Sequence, residues 1–331
     1  MTAARHRLPL LLARRLLGRP RPAIWLNFLR YKAAVRRVRR RGPDRLDFTP
    51  PSVVVWATAR CNRACPFCHY HGELNPPDAA GLELSAAQFQ RMLGHPLLRR
   101  ALRIALYGGE PLLNRDLFAM IGAGKRRGHL MSVNTNGLLI EERLPEIRAD
   151  PPDFLSVSVY PDTRAALARA IPLAAAVVPV RLIVLLSAST LAEAGRAAEL
   201  TVRTGACSVS FEWTCPNAAC PLPPPDAEDP AYLAVKAAVD AEYGRRVAIR
   251  WPAPRPEASC RFFWNSLFVD ARGRMAPCCV WPLRSYRGDI FADEDAWNSD
   301  AMQALRRDMR AGNFDPRCRT CAYLRDDPLG I

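Results

Sequence analysis

Three cysteines, Cys61, Cys65 and Cys68, stand in a CxxxCxxC spacing within one short segment of this 331-residue chain. Three thiolates hold three corners of a cubane iron-sulfur cluster and leave the fourth iron without a protein ligand. A structural metal site closes its shell with four protein ligands, whereas an open position admits a cofactor or a substrate. The spacing therefore points to a reactive centre. A second group, Cys260, Cys278, Cys318 and Cys321, offers four thiols towards the C-terminus, enough to close either a cluster or a zinc site.

Tyr107-Gly108-Gly109-Glu110-Pro111, Asn134-Thr135-Asn136-Gly137 and Val157-Ser158-Val159 follow the thiol loop at intervals that successive βα units would give. In this order the segments resemble the radical S-adenosylmethionine (SAM) enzymes, with Phe67 as the aromatic residue before the last cysteine. The C-terminal cysteines, with Gly273 ahead of Cys278 and with Trp297-Asn298, resemble the shortened SPASM or twitch extension of that superfamily. Cys279 is the one extra thiol close by, so a single auxiliary cluster is expected.

The resemblance implies particular roles. Cys61, Cys65 and Cys68 would bind a 4Fe-4S cluster whose open iron is chelated by the amine and carboxylate of SAM. Gly108 and Gly109 would let the backbone approach that cofactor, Glu110 would hold the methionyl amine, and Phe67 would lie near adenine. Asn136 and Ser158 would hydrogen-bond the ribose or carboxylate. Cys260, Cys278, Cys318 and Cys321 would carry a second 4Fe-4S cluster, with a structural zinc as the alternative. The implied activity is that of an oxidoreductase that reductively cleaves SAM and abstracts hydrogen from its substrate through a 5′-deoxyadenosyl radical. Such an enzyme draws electrons from a donor such as flavodoxin or ferredoxin and acts on a small-molecule, lipid-linked or peptide substrate. A non-catalytic iron-sulfur electron carrier or scaffold, binding a partner through a basic leader, is the competing reading.

Short apolar runs at Val53 to Trp56, Ile104 to Tyr107, Leu130 to Val133, Phe154 to Val159, Val180 to Leu186 and Cys207 to Trp213 alternate with helical patterns. That alternation argues for a parallel α/β architecture, and six units match the partial (β/α)6 barrel of the superfamily. In such barrels the loops at the C-terminal ends of the strands share one mouth, which would gather the cysteine loop, the glycine turn, Asn136 and Ser158. Glu212, in an apolar strand, is a candidate base or substrate ligand, and Cys215 just beyond it a candidate hydrogen donor. Cys207 and Cys220 match no motif, and His69 and His71 read as loop residues. Ser266 to Asp270 and Arg274 to Pro277 flank Gly273 as a hairpin that would bring Cys260 and Cys278 together.

The organisation read this way is a basic, helical extension over residues 1–48, a barrel with connecting segment over 49–258, and an auxiliary-cluster domain over 259–331. Of a net charge of +15, residues 1–45 carry +13. Ile24, Phe28, Tyr31, Val35 and Val38 recur at helical steps among arginines, so the stripe either packs on the enzyme or lies on an anionic membrane surface. No nucleic-acid partner is expected. No apolar run approaches 18 residues, and the thiol spacings read as ligands in a reducing compartment, which places the chain in the cytoplasm with peripheral membrane contact as an option.

Overall fold

A computed structural model describes residues 12, 14, 15, 17, 18, 21–65, 67, 68, 82–215, 223–252, 258–278, 288–319 and 321–324. His69, His71, Cys220 and Cys279 lie outside the described residues.

Val-rich and β-branched runs make the strands: β1 (Ser52–Thr58), β2 (Arg103–Gly108), β3 (Leu130–Thr135), β4 (Phe154–Ser158), β5 (Val180–Leu186), β6 (Ser208–Trp213), β7 (Ala248–Arg250), β8 (Ser266–Val269) and β9 (Met275–Ala276). They form one sheet in the order β7-β6-β5-β4-β3-β2-β1-β8-β9. Every neighbouring pair is parallel except β8 with β9. The run β1 to β6 in chain order is the expected α/β partial barrel. The hairpin expected around Gly273 is present as β8 and β9, and β8 joins the barrel sheet directly beside β1, with Ser52 opposite Ser266.

The helices are placed by recognisable end signals. Helix α1 spans Pro22–Arg40, α2 Ala86–Gly94, α3 Leu117–Arg126, α4 Leu144–Ala149, α5 Arg164–Ala175, α6 Glu193–Thr204, α7 Pro230–Tyr243 and α8 Asp300–Ala311. Ser85 and Gln88 form a reciprocal capping box at the start of α2. Asp229 caps α7 ahead of Pro230. Helix α4 went unread in the sequence because six residues are too few to display a period.

Alternate strand residues point to opposite faces. Val53, Val55, Ile104, Leu106, Val133, Leu155, Val157, Leu182, Val209 and Phe211 face the helices and share a core with Phe89, Leu117, Ile121, Ile147, Leu167 and Ala197. The opposite face is the interior of the barrel and is far more polar.

Helix α1 packs on the folded body. Its buried residues are Ile24, Asn27, Tyr31, Ala34 and Val38, so the stripe is rotated from the expected one and Phe28 and Val35 lie at its half-buried edges. Asn27 explains the rotation. Its amide donates to the carbonyls of Thr49 and Arg100 and accepts from the Thr49 amide. These partners, with Leu102 and Leu130 against Ile24, precede or begin β1, β2 and β3. The helix therefore covers the N-terminal ends of the strands.

The C-terminal segment clamps the connection between α1 and β1. Arg306 on α8 is fully buried and donates to the carbonyls of Phe263, Asp44 and Trp297 and to Asn298 Oδ1, with its guanidinium 4.4 Å from the Trp297 ring centre. Burial pushes its pKa down to about 9, so the charge is retained at neutral pH through these acceptors. Asn298 also exchanges hydrogen bonds with the Leu46 backbone, and Arg307 and Arg310 pair with Asp44. Replacing Arg306 leaves several buried carbonyls without donors. Arg306→Leu is expected to lower the unfolding free energy by about 2–4 kcal/mol. Anaerobic denaturant titration of the variant beside the parent checks this, and equal midpoints contradict it.

Candidate functional site

The thiol loop leaves the end of β1 and is fastened at its base before it reaches the first cysteine. Thr58 Oγ1 donates to Glu83 and accepts from the Arg60 amide, while the Arg60 guanidinium forks onto Glu83 at 2.9 Å and reaches the Leu113 carbonyl. The glycine turn at the end of β2 lies against the same backbone: the Gly109 amide donates to Thr58 and the Glu110 amide to Arg60, each at 2.8 Å. A Cβ on Gly108, whose φ is +139°, would come within 2.1 Å of the Thr58 carbonyl oxygen, and one on Gly109 within 2.2 Å of the Arg60 oxygen. The two glycines let the turn and the thiol loop touch.

Glu110 has no exposed surface. Its carboxylate accepts from the Leu112 amide, the Thr135 hydroxyl at 2.7 Å and the Asn136 amide at 2.7 Å. Burial raises its pKa, and those three donors act the other way. Asn136 in turn donates to Asn62 Oδ1 in the thiol loop at 2.7 Å. Glu110 thus ties the ends of β2 and β3 together, and Asn136 carries that tie to the cysteines.

The sequence reading did not find the next layer. Arg63 donates to the Cys65 sulfur at 3.3 Å, forks onto Asp162, and stacks 4.9 Å from the Tyr160 ring centre. Tyr160 also packs on Phe67, with ring centres 5.3 Å apart. Its phenol pKa is pushed up to about 12 by burial and by Cys65, with a Ser158 hydrogen bond opposing. These contacts place Phe67 and Ser158 beside the cysteines. Burial also raises the Cys61 thiol. The available signal was position: Tyr160 and Asp162 directly follow the β4 segment.

Cys260, Cys278, Cys318 and Cys321 line one small pocket with Phe262, Phe263, Arg317, Tyr323 and Leu324. Among the described residues no three Cys, His, Asp or Glu side chains are gathered tightly enough for a single metal ion. The donor set of four thiols around a shared space suits an iron-sulfur cluster. Cys215, at the end of β6, lies in the same place: its sulfur is 3.9 Å from that of Cys321, whose pKa it raises. Glu212, three residues earlier on β6, accepts from the Tyr323 hydroxyl at 3.2 Å. The structure therefore joins both β6 candidates to the auxiliary pocket. Cys207 stands apart, donating to the Val180 carbonyl.

The interior face between these groups carries Ser132 on β3, serines at alternate positions of β4 and β6, and arginines on β2 and β5. Glu212 on β6 lies near enough to favour the charge of Arg103 on β2. A flat sheet would hold those strands about 19 Å apart, so the coupling reports the curvature of the barrel.

The sequence profile of the radical SAM superfamily matches residues 57–162, and that of an iron-sulfur cluster-binding domain, SPASM, matches residues 260–322. A probable GTP 3′,8-cyclase of Methanopyrus kandleri is 35% identical over 116 residues, 35% of this chain and 36% of that protein. The PqqA peptide cyclase of Granulibacter bethesdensis is 29% identical over 97 residues, 29% of this chain and 25% of that protein. The chain thus spans about a third or less of the length of these curated relatives. The crystal structure of Streptococcus suis SuiB bound to precursor peptide SuiA superposes over 91% of this chain and 74% of SuiB, with a TM-score of 0.65 at 14% identity, a likeness of fold. The open thiol loop, the knitted strand ends and the two profile matches make this chain an enzyme of the radical SAM superfamily with a SPASM-type extension, a family whose cofactors are SAM, a 4Fe-4S cluster and auxiliary iron-sulfur.

Proposed function

We propose that the protein is a radical SAM oxidoreductase with one auxiliary 4Fe-4S cluster. The observation that carries this reading is the hydrogen-bonded chain Asn62–Asn136–Glu110–Thr135, which gathers the thiol loop and the ends of β2 and β3 into one rigid mouth. Cys61, Cys65 and Cys68 would hold the SAM-binding cluster there, and Cys260, Cys278, Cys318 and Cys321 the second. When bound, these cofactors supply reductive cleavage of SAM and the hydrogen-abstracting radical.

The chain's own residues supply position. Glu110 fixes the Asn136 backbone, leaving the Asn136 side chain aimed at the thiol loop and the exposed edge of the mouth to receive SAM. Phe67, packed against Tyr160, offers an apolar face for adenine, and Ser158 hydrogen-bonds that tyrosine. Arg63 donates to the Cys65 sulfur at 3.3 Å and so fixes the orientation of that side chain. Glu212 would accept a proton or orient the substrate on the side of the auxiliary pocket, held by Tyr323. Cys215 would contribute a fifth thiol there. A protein donor such as flavodoxin or ferredoxin in a reducing, cytoplasmic setting completes the scheme. The division into residues 1–48, 49–258 and 259–331 describes function, with the β1–β8 pairing as the physical seam.

Anaerobic reconstitution is expected to give about eight irons per chain, and about four in a Cys61→Ala, Cys65→Ala, Cys68→Ala variant. With a strong reductant the parent forms 5′-deoxyadenosine from SAM and the variant forms none. A parent that carries both clusters yet never cleaves SAM sinks the enzyme reading. Gly109→Ala, whose new Cβ meets backbone, should mimic the triple variant in iron content; full occupancy would show that the turn can give way.

A second reading concerns α1. With its inner stripe buried, its outer face presents Leu26 at 51% and Leu29 at 61% exposure among exposed Arg30, Arg36, Arg37 and Arg40. Apolar side chains within a basic face suit the surface of an anionic bilayer, and no helix among the described residues is long and apolar enough to cross one. Such contact would dock the end of the barrel opposite the thiol loop. Leu26→Ser, Leu29→Ser should reduce sedimentation with phosphatidylserine vesicles without unfolding the chain, since neither side chain is in the core. Equal sedimentation removes the membrane reading.

A further inference from the structure

The floor of the barrel interior holds two cations with no carboxylate of their own. Arg103, at the start of β2, is 9% exposed. Its Nε donates to Ser132 Oγ at 3.1 Å, and its Nη2, also buried, has no partner. Arg181, at the start of β5, donates through Nη2 to Ser156 Oγ at 2.9 Å, and its buried Nε has no partner. The two guanidinium groups share the Phe154 ring, at 5.2 and 5.7 Å from its centre. Each serine oxygen accepts an arginine N–H, so each hydroxyl keeps a proton to donate.

Neither arginine makes an ion pair among the described residues. Their charges oppose one another, and Glu212, whose field reaches Arg103, is also engaged by Tyr323. Holding the buried Arg103 and the half-buried Arg181 on one ring without a carboxylate of their own is costly. A folded chain that maintains such a pair, with two free N–H groups and two free hydroxyl protons, is prepared for an anion.

We infer that this floor binds the phosphoryl group of a phosphorylated small-molecule substrate. The inference rests on the radical SAM reading above and names the substrate class for the same site. Two guanidinium charges match the double charge of a phosphate monoester, whereas a carboxylate would neutralise one. Tyr107 sits four residues above Arg103 on β2, about 13 Å along the strand. A phosphate at the floor would direct the rest of its substrate towards the C-terminal strand ends, the side of Ser158, Glu212 and the thiol loop.

Calorimetric titration of the anaerobically reconstituted full chain with inorganic phosphate, against acetate and chloride at equal ionic strength, tests this. Saturable phosphate binding, at least about tenfold tighter than acetate, is expected, and it should weaken by about tenfold or more in Arg181→Met and in the paired Ser132→Ala, Ser156→Ala variant. The paired serine change keeps both arginines and covers the case in which Arg181→Met fails to fold, judged by iron content. Phosphate binding no tighter than acetate or chloride in the parent overturns the inference. So does binding that survives in variants with full iron, or that is abolished by Arg36→Ser, Arg37→Ser on the outer face of α1. Formation of 5′-deoxyadenosine by the parent in the same preparation separates the two levels: if SAM is cleaved and phosphate does not bind, only the substrate class falls.

Discussion

Strand β1 carries more of this molecule than any other element. It is hydrogen-bonded in parallel to β2 on one side and β8 on the other, and every residue from Ser52 to Thr58 is buried. The thiol loop begins where β1 ends, the glycine turn where β2 ends, and the hairpin preceding Cys278 where β8 ends. Backbone hydrogen bonding in a buried sheet allows little slippage, because a one-residue shift would exchange the interior and helix-facing sides. Two cysteine groups separated by about two hundred residues are thus referenced to a single strand.

Around that axis the barrel divides its two faces by chemistry. The outer face is aliphatic and packs against helices in the usual way for a parallel sheet. The inner face departs from that pattern, with serines, arginines and Glu212 set among apolar residues such as Val54, Ile183 and Leu185. Polar groups at such depth are tolerated because they satisfy one another across the interior. The incomplete satisfaction of Arg103 and Arg181 marks where the chain has given up stability for recognition.

The ends of the molecule are closed by polar contacts of a different kind. Asn27 and Arg306 are both buried, and both spend their donors on backbone carbonyls of connecting segments, in one case at the strand N-termini and in the other at Asp44 and Trp297. Connections without regular structure cannot pair their own carbonyls, so each needs such a donor. Helix α1 is consequently part of the folded body, with Arg30, Arg36, Arg37 and Arg40 on the solvent side and its buried stripe against the strand N-termini.

The local pattern of the chain was enough to read the strand series and the hairpin around Gly273 and to single out the two thiol groups, because each of these depends on residues close in sequence. Ser156 and Ser158 on β4 and Ser208 and Ser210 on β6 alternate with apolar residues, a polar pattern obscured by the branched and aromatic residues around them. Tertiary structure alone decided that α1 turns on Asn27, that β8 pairs with β1, that Cys215 meets Cys321, that Glu110 spends its oxygens on the neighbouring turn, and that Arg103 and Arg181 converge on one ring. These contacts join residues from 22 to more than 200 positions apart. They are set by the curvature of the sheet and the packing of its ends, which no window of sequence encodes by itself.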